Sequence, residues 1–153
     1  MNLSNRYPER QEAEAALAEA AKSNPGNWVS HSRYAALACE NIAKYCPDLD
    51  PEKAYVLGLL HDIGRYVGIV RERHQLEGYR YCMRKGWDAV AKICLTHTYV
   101  LKDATKKKGN WDIPSSDYEF VKNFIETAEY DDYDRLVQFC DCLSLPTGFC
   151  IVE

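Results

Sequence analysis

The chain has 153 residues and 46% hydrophobic content, which suits one domain with one core, and it carries no repeat or low-complexity tract that would indicate an array. Its 19 basic and 23 acidic residues leave a net charge of −4, which argues against an extended nucleic-acid surface, because phosphate neutralisation needs clustered Lys and Arg. No apolar run approaches a membrane span, and Met1 to Arg6 lacks the apolar stretch of a signal peptide, so the expected location is cytoplasmic with no membrane partner.

In chain order the pattern is helical. Pro8 suits the first turn of a helix whose Ala13, Ala16, Leu17 and Ala20 recur at helical spacing, and Asn24-Pro25-Gly26-Asn27 ends it. A second helix, from about Trp28 to Tyr45, carries His31 in its first turns and is expected to bury Leu37, Ala38 and Ile42, with Pro47 as its stop. The third has the clearest start: Asp50 as N-cap, Pro51 in the first helical position and Glu52 at the positive end of the dipole. It runs through Ala54, Leu57, Leu59 and Leu60 to His61 and Asp62. His74 opens a stretch that ends near Gly86, a plausible C-cap, and Trp87 to Leu101 forms the next, with His97 near its end. Lys102 to Ser116 is polar, basic and broken by Gly109 and Pro114, and reads as a long loop. Two further helices, about Asp117–Thr127 and Asp132–Leu145, bring Asp141 to the core. With no sustained apolar/polar alternation between turn signals, the expected fold is all-α, a compact helical bundle.

The seven cysteines are odd in number and mostly sit among aliphatic and aromatic neighbours without CxxC spacing, the pattern of buried free thiols. The four histidines are more informative. A buried helix that suddenly presents His61 and Asp62 needs partners for them, since unpaired buried polar groups cost on the order of 1 to 3 kcal/mol. A metal ion is one such partner. Neutral imidazole suits iron, manganese, cobalt, nickel and zinc, and a carboxylate can bridge two ions.

The full series is His31, then His61-Asp62-Ile63-Gly64-Arg65, then His74 with Gly78 four residues later, then His97, then Asp141. This order resembles the HD-domain superfamily of metal-dependent phosphohydrolases, over most of the chain from about Trp28 to the C-terminus. The resemblance implies an N-terminal helix (residues 1–27) packed on an HD domain (residues 28–153). It implies a first metal site of His31, His61, Asp62 and Asp141, with His74 and His97 joining Asp62 at a second. The His74-Gln75-Leu76-Glu77-Gly78 segment looks like the HxxxG element of the binuclear branch. The implied cofactors are two divalent transition-metal ions, iron or manganese first, and the implied activity is hydrolysis of a phosphate ester or anhydride in a small nucleotide or related metabolite. Two alternatives stand beside it: a mononuclear nucleotidase in which His74 and His97 only bind phosphate, and a non-catalytic regulatory domain that binds a nucleotide or metal.

Around that centre Asp62 and Arg65 are the catalytic candidates. Arg65 either points to a substrate phosphate, where a guanidinium gives bidentate recognition, or is an ordinary surface arginine. Arg33 beside His31 is a further substrate candidate. Lys106-Lys107-Lys108 with Trp111 could form a phosphate-attracting lid with a stacking aromatic, although a charge run in a loop is usually a solvated face. Glu77 either orients a metal-bound histidine or pairs on the helix surface. There is no GYP signature after the HDIG element, so cyclic-di-GMP phosphodiesterase activity is not suggested. The chain ends twelve residues after Asp141, which leaves room for a second subunit to supply part of the pocket wall in a homo-oligomer.

Overall fold

The computed structural model describes residues 4–107 and 109–151. Among the described residues there are seven α-helices: α1 Arg10–Ser23, α2 Asn27–Ala43, α3 Pro51–Leu60, α4 Arg73–Lys85, α5 Asp88–Thr96, α6 Ser115–Thr127 and α7 Asp132–Leu143. Short 3-10 turns cover Ile63–Val67 and Ala104–Lys106. The fold is all-α, as the periodicity predicts. One feature without a sequence signal is a two-residue hairpin, β1 Ser144–Leu145 with β2 Gly148–Phe149, which cuts the last helix two residues short of the expected Leu145.

α3 is the axis of the bundle. Every residue from Lys53 to Leu60 is buried, as expected of a helix that is apolar around its whole circumference. Its start is the one read from sequence, with the Asp50 carboxylate accepting from the Glu52 amide at 2.9 Å. α2 lies against it through small side chains, Ala35, Ala36 and Cys39, so closely that a Cβ on Gly58 would sit 2.9 Å from Cys39 Sγ and 3.0 Å from the Ala36 Cα. This corrects the expected buried face of α2. Ala38 is buried, but Leu37 is 41% exposed and Ile42 only half-buried, because a leucine on the contact face would force the two helices apart.

α1 packs on α3 and on the 3-10 turn through Ala13, Ala16, Leu17 and Ala20. It starts at Arg10, so Pro8 lies just ahead of the helix and not in its first turn as expected. α4 ends at Gly86, which takes the left-handed conformation (φ 76°) that favours glycine. α5 stops at Thr96, five residues before the expected Leu101. α7 begins with a capping box between Asp131 and Asp134. The fully buried Asp134 carboxylate also accepts from Thr96 Oγ1 (2.6 Å) and Lys92 Nζ (2.8 Å), tying α7 to α5. The chain's first described residues are strapped down by Asp88, whose carboxylate accepts from Ser4 Oγ, Asn5 N and Arg6 N at 2.8, 3.2 and 2.6 Å. All seven cysteines are free, four of them buried, in keeping with the sequence reading.

Candidate metal centre

Six side chains from five helices meet at one end of α3. His31 comes from α2, His61 caps the C-terminus of α3, Asp62 opens the 3-10 turn, His74 is the second residue of α4, His97 caps α5, and Asp141 lies in the last turn of α7. α3 ends at Leu60, two residues earlier than a continuous helix through Asp62 would. Adjacent residues on an α-helix point about 100° apart, so the break lets His61 and Asp62 face the same point. The close approach of α4 to the turn is equally constrained. A Cβ on Gly64 would lie 1.8 Å from the His74 carbonyl oxygen and 2.4 Å from the Gly78 amide, so the glycines of the HDIG and HxxxG elements bring His74 to Asp62.

The four rings are oriented in one way. Nδ1 donates to a backbone carbonyl in each: His31 to Ser144 (2.8 Å), His61 to Gly58 (2.7 Å), His74 to Arg71, and His97 to Cys94 (3.0 Å). This fixes the tautomer and leaves every Nε2 lone pair facing inward, the arrangement that metal-bound imidazoles require. The ring centroids are 5.3 Å apart for His31 and His61, 5.0 Å for His61 and His97, and 5.6 Å for His74 and His97.

Each inward nitrogen meets a carboxylate oxygen. Asp141 Oδ1 is 2.8 Å from His31 Nε2 and 3.3 Å from His61 Nε2, and Asp62 Oδ1 is 3.2 Å from His74 Nε2 and 3.4 Å from His97 Nε2. A nitrogen lone pair facing a carboxylate oxygen needs a positive charge between them. His61 Nε2, His74 Nε2 and Asp62 Oδ1 are buried without a hydrogen-bond partner despite these distances, because the atoms converge on a point instead of aligning donor to acceptor. Metal–nitrogen bonds of roughly 2.1 Å place neighbouring ligand atoms about 3 Å apart, the spacing seen here. Two trios meet the requirement, His31 with His61 and Asp141, and His61 with Asp62 and His97. The residues therefore fit a divalent cation.

The electrostatics agree. Burial pushes the His61 imidazolium down, yet Asp62 and Asp141 outweigh it and hold its pKa at about 9 in the metal-free chain. Burial alone would raise Asp62 and Asp141, but the surrounding imidazoles hold both carboxyls below their ordinary values. His97 is lowered, chiefly by its burial.

A cleft of about 440 Å³ opens onto the cluster, with Trp28, Arg65, Arg71, Thr98 and Lys107 among its walls. Arg65 is in place, but its Nε is on Asp62 Oδ2 at 2.8 Å, so it grips the second oxygen of the carboxylate the resemblance makes the bridge. The other substrate candidates are not brought together. Arg33 points to Glu14 on the surface and does not line the cleft. Lys106 is exposed on the 3-10 turn and does not line the cleft either; its neighbour Lys107 does, held 2.8 Å from Glu72. Trp111 stacks on Tyr99 (6.3 Å between ring centroids, 9° between planes), meets Tyr118 edge-on and does not line the cleft. Lys108 lies outside the described residues. Glu77 pairs with Arg73 at 3.2 Å on the helix surface, and the Arg71 carbonyl orients His74 in its place. Trp28 and Arg71 were not singled out by sequence reasoning; the one available signal was Arg71-Glu72-Arg73 directly before His74.

An all-α bundle that converges four imidazoles and two carboxylates on one buried point is an HD-like domain. The family model of the HDOD domain matches residues 13–99, more than half of the chain, and the chain belongs to that family. The match begins inside α1 and takes in every candidate ligand except Asp141. No curated protein and no solved structure matches the chain.

Proposed function

We propose that the protein is a metal-dependent phosphohydrolase acting on a small phosphorylated compound, a nucleotide or related metabolite, with His31, His61, Asp62, His74, His97 and Asp141 holding two divalent ions, iron or manganese. The observation that carries this reading is the common orientation of the four histidines: every Nδ1–H is spent on a backbone carbonyl and every Nε2 faces the same carboxylate-lined point. Bound there, such ions supply Lewis-acid polarisation of a phosphoryl oxygen and a water acidified toward neutrality.

The chain's own residues do the rest. Arg65, Arg71 and Lys107 line the cleft beside the carboxylates of Asp62, Glu72 and Asp141, with Arg71 the cation best placed to attract a phosphate, while Trp28 offers an aromatic wall for the body of the substrate. The cleft admits one small molecule, and nothing in its lining makes the long basic track that a nucleic-acid strand requires.

A second reading, a domain that binds an ion and a nucleotide without turning the latter over, is favoured by the Arg65 grip on Asp62 Oδ2, since a guanidinium at that oxygen opposes a bridging ion. The discriminating experiment is elemental analysis of protein purified without chelator, followed by assay of nucleoside mono-, di- and triphosphates and dinucleoside polyphosphates with manganese or ferrous iron. The enzyme is expected to hold close to two ions per chain and to hydrolyse at least one of these compounds. Asp62→Ala should lose metal and turnover together, and His74→Ala mainly the second ion. Absence of metal after reconstitution sinks the enzyme reading; metal and tight nucleotide binding without turnover establish the second.

A further inference from the structure

The larger cavity of the molecule is not the metal cleft. About 870 Å³ lies between α6 and the α3/α5 face and shares no lining residue with the cleft. It exists because α6 buries only Val121 and Ile125 among its 13 residues and otherwise stands off the bundle. We propose that this cavity binds a small molecule with a flat apolar body and a single negatively charged group, held by Lys53.

Lys53 is the reason for the charge. Its side chain, on the buried axis helix, is only 7% exposed. The ammonium donates to Asn5 Oδ1 at 2.8 Å and lies over the Tyr133 ring at 4.4 Å and the Tyr7 ring at 5.5 Å. Among the described residues no carboxylate oxygen comes within 4.0 Å of it, whereas the other lysine of the cavity, Lys92, is neutralised by Asp134 at 2.8 Å and Asp131 at 3.8 Å. A buried ammonium with donors to spare is costly unless an anion completes its shell. Burial lowers the Lys53 pKa and Lys92 adds to the shift, outweighing the opposite pull of the more distant carboxylates of Asp131, Asp50 and Asp134.

Leu57, Ile93, Phe120, Phe124 and Tyr130 supply the apolar lining, with Phe120 still 36% exposed. The volume falls in the usual ligand-pocket range of about 300 to 1,000 Å³. Glu129 also lines the cavity and repels a second negative charge, so a monoanion fits better than a polyphosphate. The occupant therefore differs in kind from the cargo of the metal cleft.

The test uses the intact chain and two fluorescent probes, anionic 1-anilinonaphthalene-8-sulfonate and neutral N-phenyl-1-naphthylamine. The sulfonate is expected to bind saturably at one site per chain, to bind unchanged after metal is stripped with chelator, and to weaken as sodium chloride is raised. The neutral probe should show no salt dependence. Lys53→Gln should lower the ratio of sulfonate to neutral-probe affinity at least tenfold, with circular dichroism and the melting curve read on the same samples; Phe120→Ser should weaken both probes. Absence of saturable sulfonate binding to the wild-type chain overturns the proposal, as does sulfonate binding to wild type that is indifferent to salt, or an unchanged ratio in a folded Lys53→Gln. The salt series needs no variant, so the proposal stays exposed to refutation even if Lys53→Gln fails to fold.

Discussion

At the scale of single residues, a cation at this centre would have to compete with protons. His61 has a pKa of about 9 in the metal-free fold against an ordinary value of 6.5. Between those values the folded chain holds a proton that the unfolded chain has released, so metal-free stability falls as pH rises through that window. Any ion that binds Nε2 must displace the same proton. Manganese titrated calorimetrically at pH 7.5 in buffers of different ionisation enthalpy should therefore release about one proton from His61. Apparent affinity should climb with pH and level off above about pH 9, and a pH-independent affinity would contradict the site. Arg65 acts in the opposite sense, since its guanidinium sits on Asp62 Oδ2. Arg65→Ala is expected to leave metal content at or above the wild-type level while lowering turnover, because removing a cation beside a ligand carboxylate favours ion binding; loss of metal would show that Arg65 holds Asp62 in place. The ligand histidines were legible in the sequence because a chain with only four of them spaces all four to one pattern. The substrate residues were not. Arg33, Lys106 and Trp111 are charged or aromatic in the right neighbourhood of the chain, but proximity in sequence does not say on which side of a helix, or under which neighbouring ring, a side chain ends.

At the scale of elements, the site depends on two tight junctions. At Gly64 any side chain meets the backbone of α4, which cannot swing aside as a flexible side chain would. Gly64→Ala should cost about 3 kcal/mol or more and displace His74, read as a lower denaturation midpoint together with loss of metal. The other junction is Asp134, fully buried between Thr96 on α5 and Lys92. Asp134→Ala strands a lysine and a hydroxyl and removes half of the α7 capping box, for an expected loss of about 3 kcal/mol in urea denaturation. Helix starts and stops that rest on local chemistry, such as Asp50-Pro51-Glu52 and Gly86, could be read ahead of the structure. The end of α3 could not, because the 3-10 turn at Ile63 answers to the convergence of His61 and Asp62 on a common point, a tertiary demand with no local signature. The exposed Leu37 is the same lesson in packing: hydrophobicity alone points to Leu37 and Ile42 as the buried side of α2, whereas its contact face is built of small residues that meet Gly58 closely.

At the scale of the whole molecule, five helices hang on one cluster, so an ion bound there stabilises the entire bundle. At a free concentration one hundred times its dissociation constant, a single ion adds about 2.7 kcal/mol, equivalent to a rise in Tm of about 5 to 10 °C for a domain of this size. Differential scanning fluorimetry should show that rise with manganese and its reversal with chelator, and no rise in Asp62→Ala. A metal-independent melting curve would mean that the cluster is held by protons alone. No helix among the described residues is long and apolar enough to cross a membrane.

The anchors of the four histidines also impose an order in time. His61, His74 and His97 are each oriented by a carbonyl three or four positions back in their own helical turn, but His31 waits for Ser144, 113 positions downstream. During synthesis three rings are set long before the fourth has anything to lean on, and Asp141 emerges only just before that anchor. A cation present throughout translation therefore meets the Asp62, His74 and His97 face first. The His31 and Asp141 face takes shape only once the segment around Ser144 is in place, so a complete set of cation ligands is a late product of folding.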